Sequence, residues 1–197
     1  SGPFRNMRCE GWKKYILSLV YSRVFGKPYS SFLTHPGPLG ANVGELEDDM
    51  LTLSSKPKRI LSENYGMHSF FEGASIRKVR DKYFFVYSSS LNHELCYAIS
   101  DYPDRNFKFM GTIISNGDVG YEGRKEKDRV NATGTIHGSI EKIGDDWYVF
   151  YHRLTGGSDY SRQVCAERIE INEDYHITQV PLTSLGMDSK CLGKGKY

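Results

Sequence analysis

The chain has 197 residues, which is enough for one substantial hydrophobic core. Its 26 Lys and Arg residues nearly balance 24 Asp and Glu residues, and the two signs are interspersed, so the sequence lacks the basic stripe that nucleic-acid binding requires. No apolar run approaches the roughly 20 residues that span a bilayer, and the first residues lack the apolar stretch of a signal peptide. We therefore expect one cytoplasmic domain with neither a nucleic-acid nor a membrane partner.

Three phrases along the chain share one pattern, a polar turn with Gly, Asp or Lys directly before an aromatic strand. The phrases are EGWKKYIL from residue 10, VRDKYFFV from residue 79 and IGDDWYVF from residue 143. Tyr15, Tyr83 and Trp147 occupy the same place in the three copies, so the period is 68 and then 64 residues. Each copy is expected to begin a β-unit.

After each hairpin, a second extended run passes through a turn into another strand. The three strand pairs are predicted at residues 43–49 and 57–61, 96–101 and 109–114, and 164–169 and 177–180. Four strands per unit are typical of a β-propeller blade. A β-sandwich also has short strands, but they need not copy one another at a long fixed period. We predict an all-β propeller with about three blades in this chain.

The four cysteines stand far apart, and none belongs to a C-x-x-C pair. Cys96 and Cys165 lie inside predicted strands among apolar neighbours, whereas Cys9 and Cys191 lie near the ends of the sequence. This pattern favours buried thiols in a reducing compartment over zinc or a disulfide framework.

A carboxylate, Glu72, follows two phenylalanines at the start of the innermost predicted strand of the middle unit. We expect it near the propeller axis in a partly apolar setting, where desolvation raises a carboxyl pKa and keeps the proton available near neutrality. Glu72 is therefore a candidate general acid. The alternative is a structural carboxylate that caps a strand or pairs with a Lys or Arg.

The phrase FFEGASIRK at residues 70–78, followed by DKYFFVYS at 81–88, resembles glycoside hydrolase family 43. That family comprises five-bladed β-propellers that include β-xylosidases, α-L-arabinofuranosidases and arabinanases. The phrase HGSI at 137–140 before WYVFYHR at 147–153 resembles a later blade, and SRQVCAE at 161–167 resembles the last. The likeness runs from about residue 40 to about residue 180. It implies a single partial propeller domain over residues 1–197, in which 1–38 form the divergent N-terminal part of the first blade present.

The resemblance implies inverting hydrolysis of terminal α-L-arabinofuranosyl or β-D-xylosyl linkages in plant polysaccharides or oligosaccharides, with Glu72 as general acid. Inversion places a general base roughly 6.5–9.5 Å from the acid. In the family this base is an Asp of the first blade, and it has no counterpart here. A further Asp tunes the acid, and Gly2-Pro3 stands where the family has Asp-Pro. The alternative is a truncated, catalytically inactive propeller that binds glycan weakly or is structural.

Three further residues are candidate sugar-binding groups by this resemblance. Arg162 fits an arginine that the family uses near the sugar, where a guanidinium can hydrogen-bond two hydroxyls. Its alternative role is a surface ion pair with Glu167 or Glu170. Phe70 and Phe71 are candidates for an apolar wall against a pentose ring, or for a strand pair with one side chain in the core and the other outside.

His137 fits a histidine that lies near the axis in the family, close to a cation, often calcium, that is largely held by water. Because calcium prefers oxygen ligands, a lone histidine is weak evidence for a site, and a structural histidine fits equally. No cofactor is required on this interpretation, and calcium is the only candidate metal.

An arc of three blades would leave apolar blade faces open, which exposed protein surfaces rarely tolerate. We therefore expect self-association or a complementing chain that covers these faces. The expected ligand is a pentose-containing oligosaccharide.

Overall fold

The computed structural model describes residues 15–18, 41–49, 51–54, 56–59, 66–91, 93–134, 136–154 and 161–187. Within them it contains ten β-strands and four single-turn 3₁₀ helices, and no helix is long and apolar enough to cross a membrane. The strands are β1 (Tyr15–Ser18), β2 (Asn42–Glu45), β3 (Lys58–Arg59), β4 (Phe70–Val79), β5 (Lys82–Ser89), β6 (Glu94–Ser100), β7 (Lys108–Ser115), β8 (Gly138–Ile143), β9 (Asp146–Leu154) and β10 (Arg162–Ile169). Most of the divergent segment 1–38, together with Cys9 and Cys191, lies outside the described residues.

The strands form three antiparallel sheets that follow one another along the chain, as the repeat predicts. Their orders are β1-β2-β3, β4-β5-β6-β7 and β10-β9-β8. The turns in the second and third phrases join β4 to β5 and β8 to β9, with left-handed residues at Arg80 (φ 55°) and Gly144 (φ 62°). The hairpins predicted at the second and third phrases and the all-β fold class are therefore confirmed, with three successive sheets as parts of a propeller, whereas the turn of the first phrase lies outside the described residues.

The middle sheet is buried on both faces. In β5, Phe84 and Val86 pack in a core shared with the third sheet, whereas Phe85 and Tyr87 pack with Ala41 and other residues of a second core beside the first sheet. Successive strand residues point to opposite faces, so a run of consecutive apolar residues is what a strand between two neighbours requires. The aromatic run at residues 83–87 is therefore explained by the packing of the middle sheet between the first and third sheets.

Polar contacts join β4, the first strand of the middle sheet, to β8 of the third. Ser75 Oγ lies 2.7 Å from Ser139 Oγ, and Arg77 Nε donates to Glu141 Oε2 at 2.8 Å. Ser88 of β5 donates its hydroxyl proton to the carbonyl oxygen of Ile136. These contacts fix β8 against β4 and the segment before β8 against β5, beside the candidate site.

The predicted fourth strand of the third unit, residues 177–180, is not a strand in the structure. Ile177 makes only an isolated antiparallel bridge with Ile171, and its N–H donates to the Tyr97 hydroxyl at 2.8 Å. The N–H of Val180 donates to the carbonyl of Ile113 in β7 at 2.9 Å. Because these donors bond to the middle sheet, they are not used in a ladder on β10.

Beyond this point, residues 181–187 cross to the third sheet. The N–H of Leu182 donates to Asp118 Oδ1 at 2.7 Å, and the N–H of Thr183 donates to Glu167 Oε1 at 2.8 Å. The Thr183 hydroxyl contacts both oxygens of the buried Glu167, at 2.9 and 2.8 Å. The segment 177–187 therefore straps the second and third sheets together.

Candidate active site

Glu72 lies where the pairing of β4 with β5 is irregular. The register shifts between Phe70 and Glu72 and again between Glu72 and Ser75. Gly73, in the left-handed conformation (φ 68°), lies within the second shift. A bulge bends its strand and re-aims side chains, and such bulges are frequent beside active sites. The irregularity sets Glu72 apart from the regular alternation of the rest of β4.

His137, directly before β8, meets the Glu72 side chain. Its Nε2 lies 2.7 Å from Glu72 Oε1, and the two side chains are 36% and 24% exposed respectively. Among the described residues Nε2 makes no hydrogen bond of good angular geometry, so we describe the 2.7 Å approach as a close contact. A Cβ on Gly73 would stand 3.1 Å from His137 Cδ2 and 3.2 Å from Ser88 Oγ. Glycine is thus required here both for the backbone conformation and for the approach of the imidazole.

The Glu72 pKa lies below its ordinary value, contrary to the expectation from burial alone. The contact with His137 lowers this pKa most, and burial raises it by less. The charges of His137, Arg162 and His152 lower the pKa further. The sequence-based expectation of a raised pKa is corrected because the bulge brings three basic side chains toward one half-buried carboxylate.

His152, in β9, completes the basic surroundings of Glu72. The ring Nε2 of His152 accepts the backbone N–H of His137 at 3.2 Å. The backbone N–H of His152 donates to the carbonyl oxygen of His137 at 3.2 Å. A backbone N–H only donates, so Nε2 carries no proton and the neutral ring has its proton on Nδ1. Burial, and then the charges of His137 and Arg162, lower the His152 pKa. The neutral form of His152 is therefore favoured, and in that form the ring accepts the backbone N–H of His137.

Arg162 begins β10 and is exposed. Its positive charge acts on both Glu72 and His152 and lowers the pKa of each. Glu167, one of its predicted ion-pair partners, is buried and accepts hydrogen bonds from Tyr151 and Thr183. The structure thus brings Arg162 into the electrostatic environment of Glu72, and its assignment to a sugar site stays a prediction.

The two phenylalanines before Glu72 have different surroundings. The ring of Phe70 is partly buried, with centroids 5.8 Å from Phe85 and 5.9 Å from Tyr87. The side chain of Phe71 is 41% exposed. Phe70 therefore supports the core beneath the bulge, and Phe71 is the aromatic side chain available to a ligand.

The described residues do not by themselves form a calcium site at His137. The side chain offers one nitrogen, which already contacts Glu72, whereas calcium takes six to eight oxygen ligands. Among the described residues, the one group of three metal-ligating side chains is His68, Glu94 and Cys96, and it does not include His137. No catalytic step is therefore assigned to calcium.

Sequence reasoning missed His152, although the hairpin carries a signal for it. The turn at Gly144 pairs Ile143 with Asp146, and continuing the register outward brings His137 opposite His152. Counting from the turn would have placed two histidines side by side. Gly73 could be recognised as a special backbone position only from the bulge that surrounds it.

The three sheets and the bulged carboxylate define the class of protein: part of a β-propeller with an acidic residue on the first strand of its middle sheet. No family model matches the sequence. Among curated proteins, a xylosidase/arabinosidase of Thermoclostridium stercorarium is 45% identical over 167 residues, which are 80% of this chain and 35% of that protein. A β-xylosidase of Xylanibacter ruminicola is 28% identical over 153 residues, covering 73% of this chain and 44% of that protein.

A solved structure extends the comparison to three dimensions. A GH43 β-xylosidase/α-arabinofuranosidase from a compost metagenome, solved with xylotriose in a calcium-free form, matches 72% of this chain and 42% of its own length. The TM-score is 0.59 at 26% sequence identity. The chain therefore belongs to glycoside hydrolase family 43, of whose propeller it forms a part. It spans between a third and a half of the length of these relatives.

Proposed function

We propose that this protein is a glycoside hydrolase that cleaves terminal α-L-arabinofuranosyl or β-D-xylosyl linkages, with Glu72 as its general acid. The observation that carries the proposal is the close contact between Glu72 and His137, formed at a bulge in β4 and under the influence of the Arg162 charge. A structural surface carboxylate needs neither the bulge nor the glycine that admits His137. Relatives named xylosidase/arabinosidase support the substrate class.

The chemistry assigned to Glu72 is proton donation to the glycosidic oxygen as the bond from that oxygen to the anomeric carbon breaks. Water, activated by a general base on the opposite side of the sugar, then forms the new bond with inversion. The groups that shift the Glu72 pKa are two histidines and an arginine, and none of them is the carboxylate that such a pair requires as its base. The proposal therefore requires a carboxylate beyond these groups to complete the site.

The ligand proposed for this site is a pentose-containing oligosaccharide. Phe71 offers an exposed ring that can stack on the sugar face, and the Arg162 guanidinium can donate two hydrogen bonds to vicinal hydroxyls. A solved β-xylosidase/α-arabinofuranosidase relative was crystallised with xylotriose. The same surroundings suit an arabinofuranosyl or a xylosyl unit.

A second candidate function, glycan binding without hydrolysis, is favoured by the direction of the Glu72 pKa. A general acid must hold its proton at the working pH, whereas the His137 contact favours the ionised carboxylate. An ionised Glu72 is instead suited to accept hydrogen bonds from sugar hydroxyls. On this proposal the chain binds pentose-containing glycans weakly and does not cleave them.

One experiment separates the two candidates. Release of nitrophenol from aryl α-L-arabinofuranoside and aryl β-D-xyloside is measured for the purified protein and for Glu72→Gln, with the exposed Glu170→Gln as matched control. The hydrolase proposal predicts turnover that falls in Glu72→Gln and persists in Glu170→Gln. Calorimetric binding of xylotriose without turnover in any variant would support the binding function and contradict the hydrolase.

Self-association or a complementing chain is part of the same proposal. Val164, in β10 at the edge of the third sheet, is 78% exposed and pairs with His152 of β9. An apolar side chain at such a position suits coverage by another polypeptide surface. Light scattering over a range of protein concentrations tests this directly, and a monomer mass that does not change with concentration would contradict self-association.

A further inference from the structure

A second cluster of reactive side chains lies in the middle sheet, away from the Glu72–His137 pair. His68 ends a 3₁₀ turn (Gly66–His68), while Glu94 and Cys96 lie two residues apart on β6. One oxygen, Glu94 Oε2, lies 2.8 Å from His68 Nδ1 and 3.4 Å from Cys96 Sγ. The three ligand atoms all lie within 4.8 Å of one another. From this convergence we propose that His68, Glu94 and Cys96 bind a zinc-class divalent transition-metal ion.

The three donor types select the class of metal. Imidazole nitrogen and thiolate sulfur favour zinc and its first-row neighbours, whereas calcium and magnesium prefer oxygen ligands only. Around a tetrahedral zinc ion, adjacent ligand atoms lie about 3.3–3.6 Å apart, given bond lengths near 2.0–2.3 Å. The two separations from Glu94 Oε2, 2.8 and 3.4 Å, differ from these values by about half an ångström or less, and the third pair of ligand atoms lies within 4.8 Å and moves together on binding.

The cluster combines a rigid, buried side with an accessible one. Glu94 and Cys96 are buried, but the His68 side chain is 34% exposed and leaves a route from solvent. The His68 ring stacks on Phe109 with centroids 4.8 Å apart, and the His68 carbonyl accepts the Tyr87 hydroxyl at 2.8 Å. Supporting contacts of this kind orient the ligands of metal sites.

Neighbouring hydroxyl groups support the other two ligands. Ser89 Oγ donates to Glu94 Oε2 at 2.9 Å, and Thr112 Oγ1 lies 3.7 Å from Cys96 Sγ. On binding, the Cys96 thiol releases its proton to solvent and its sulfur forms the metal bond, so the cysteine serves as a thiolate ligand. With three protein ligands, the fourth position is left to water.

The sequence pattern favoured buried thiols over zinc because no cysteine pair has the spacing of a zinc motif. In this cluster the imidazole comes from a turn well before β6 in the sequence, and only Glu94 and Cys96 are close along the chain. The fold brings His68 close to Glu94 and Cys96, because the chain returns from the 3₁₀ turn to β6.

Cobalt substitution tests the site with a readout independent of activity. Metal-free protein is titrated with Co²⁺, and the near-ultraviolet thiolate-to-cobalt charge-transfer band is followed, with Zn²⁺ then added to displace it. We expect the cluster to bind one Co²⁺ ion and to give a thiolate charge-transfer band. In Cys96→Ser and in His68→Gln the affinity for Co²⁺ should fall at least about tenfold. Matched controls are Cys165→Ser, the other buried cysteine described, and His176→Gln, an exposed histidine.

If Cys96→Ser fails to fold, His68→Gln still tests the site, because the His68 side chain lies in a turn and is partly exposed. Bands that survive in both Cys96→Ser and His68→Gln would place the metal elsewhere and overturn the proposal. Absence of a thiolate band in the unsubstituted protein would overturn it as well. Retention in the two controls together with loss in the two site variants is the expected result.

Discussion

His137 Nε2 lies 2.7 Å from Glu72 Oε1, and this contact sets the protonation of the candidate catalytic carboxylate. It lowers the Glu72 pKa by more than burial raises it. We predict that His137→Gln raises the Glu72 pKa, because the contact that lowers it most is removed while the desolvation remains. The measurement is a pH titration of the Glu72 carboxyl carbon by NMR, which needs no turnover.

His137→Gln should also shift the pH dependence of catalysis in one direction. Activity that depends on protonated Glu72 falls as the pH rises through its pKa, so the alkaline limb of the pH–rate profile moves to higher pH in His137→Gln. His176→Gln, at an exposed histidine, should leave the limb in place. A Glu72 pKa that stays unchanged or falls in His137→Gln would show that the contact does not control it.

Gly73→Ala tests the close approach of His137. Both Gly73 (φ 68°) and Gly144 (φ 62°) are left-handed, so alanine is strained at each by about 1 kcal/mol. Only at Gly73 does the added Cβ meet neighbours, whereas nothing lies within 4 Å at Gly144. We expect Gly73→Ala to lower the free energy of unfolding more than Gly144→Ala and to change the Glu72 titration. Equal denaturation midpoints with an unchanged titration would contradict this role of Gly73.

His152 should make stability depend on pH. Its folded-state pKa is lowered, so the unfolded chain binds a proton at a higher pH than the native state does. The stabilisation is present above the ordinary histidine pKa and is lost as the pH falls through the folded-state value. His152→Gln keeps an acceptor for the His137 N–H but cannot be protonated in this range, so its urea midpoint should decline less between pH 7.5 and pH 5. An identical decline in both proteins would rule out His152 as the titrating group.

Thr183→Val tests the strap across the second and third sheets. The substitution keeps the shape of the side chain but removes the hydroxyl that contacts both oxygens of the buried Glu167. Hydrogen bonds to charged groups contribute about 1.5–3 kcal/mol, and we expect a loss of unfolding free energy in that range. Thr178→Val, at an exposed position of the same segment, is the control and should change stability little. A loss no larger than the control's would contradict the anchoring role.

The repeat and the aromatic runs were sufficient to predict the architecture. The phrases that begin at Val79 and Ile143 correctly predicted the hairpins β4–β5 and β8–β9, because a polar turn and the strand after it are local features of the sequence. The strand predicted at residues 177–180 failed because its backbone donors bond to Tyr97 and Ile113, which are distant in sequence. Local propensity carries no information about that choice of partner.

The candidate site was predictable only in part, because local motifs do not show which distant residues surround them. Glu72 and Arg162 could be identified from motifs, whereas the direction of the Glu72 pKa depends on which charges the bulge brings near it. Burial alone suggested a raised pKa, and a contact across two sheets reversed it. The separate roles of Phe70 in the core and Phe71 at the surface likewise followed only from the structure.

The most direct test of Glu72 as general acid compares two leaving groups. Glu72→Gln should lower kcat/KM about a hundredfold to ten-thousandfold on xylobiose, whose sugar leaving group needs a proton. On a dinitrophenyl glycoside, whose leaving group needs none, the loss should be far smaller. Equal losses on both substrates, unimpaired cleavage of xylobiose by Glu72→Gln, or no turnover of either substrate by the unsubstituted protein would contradict the account.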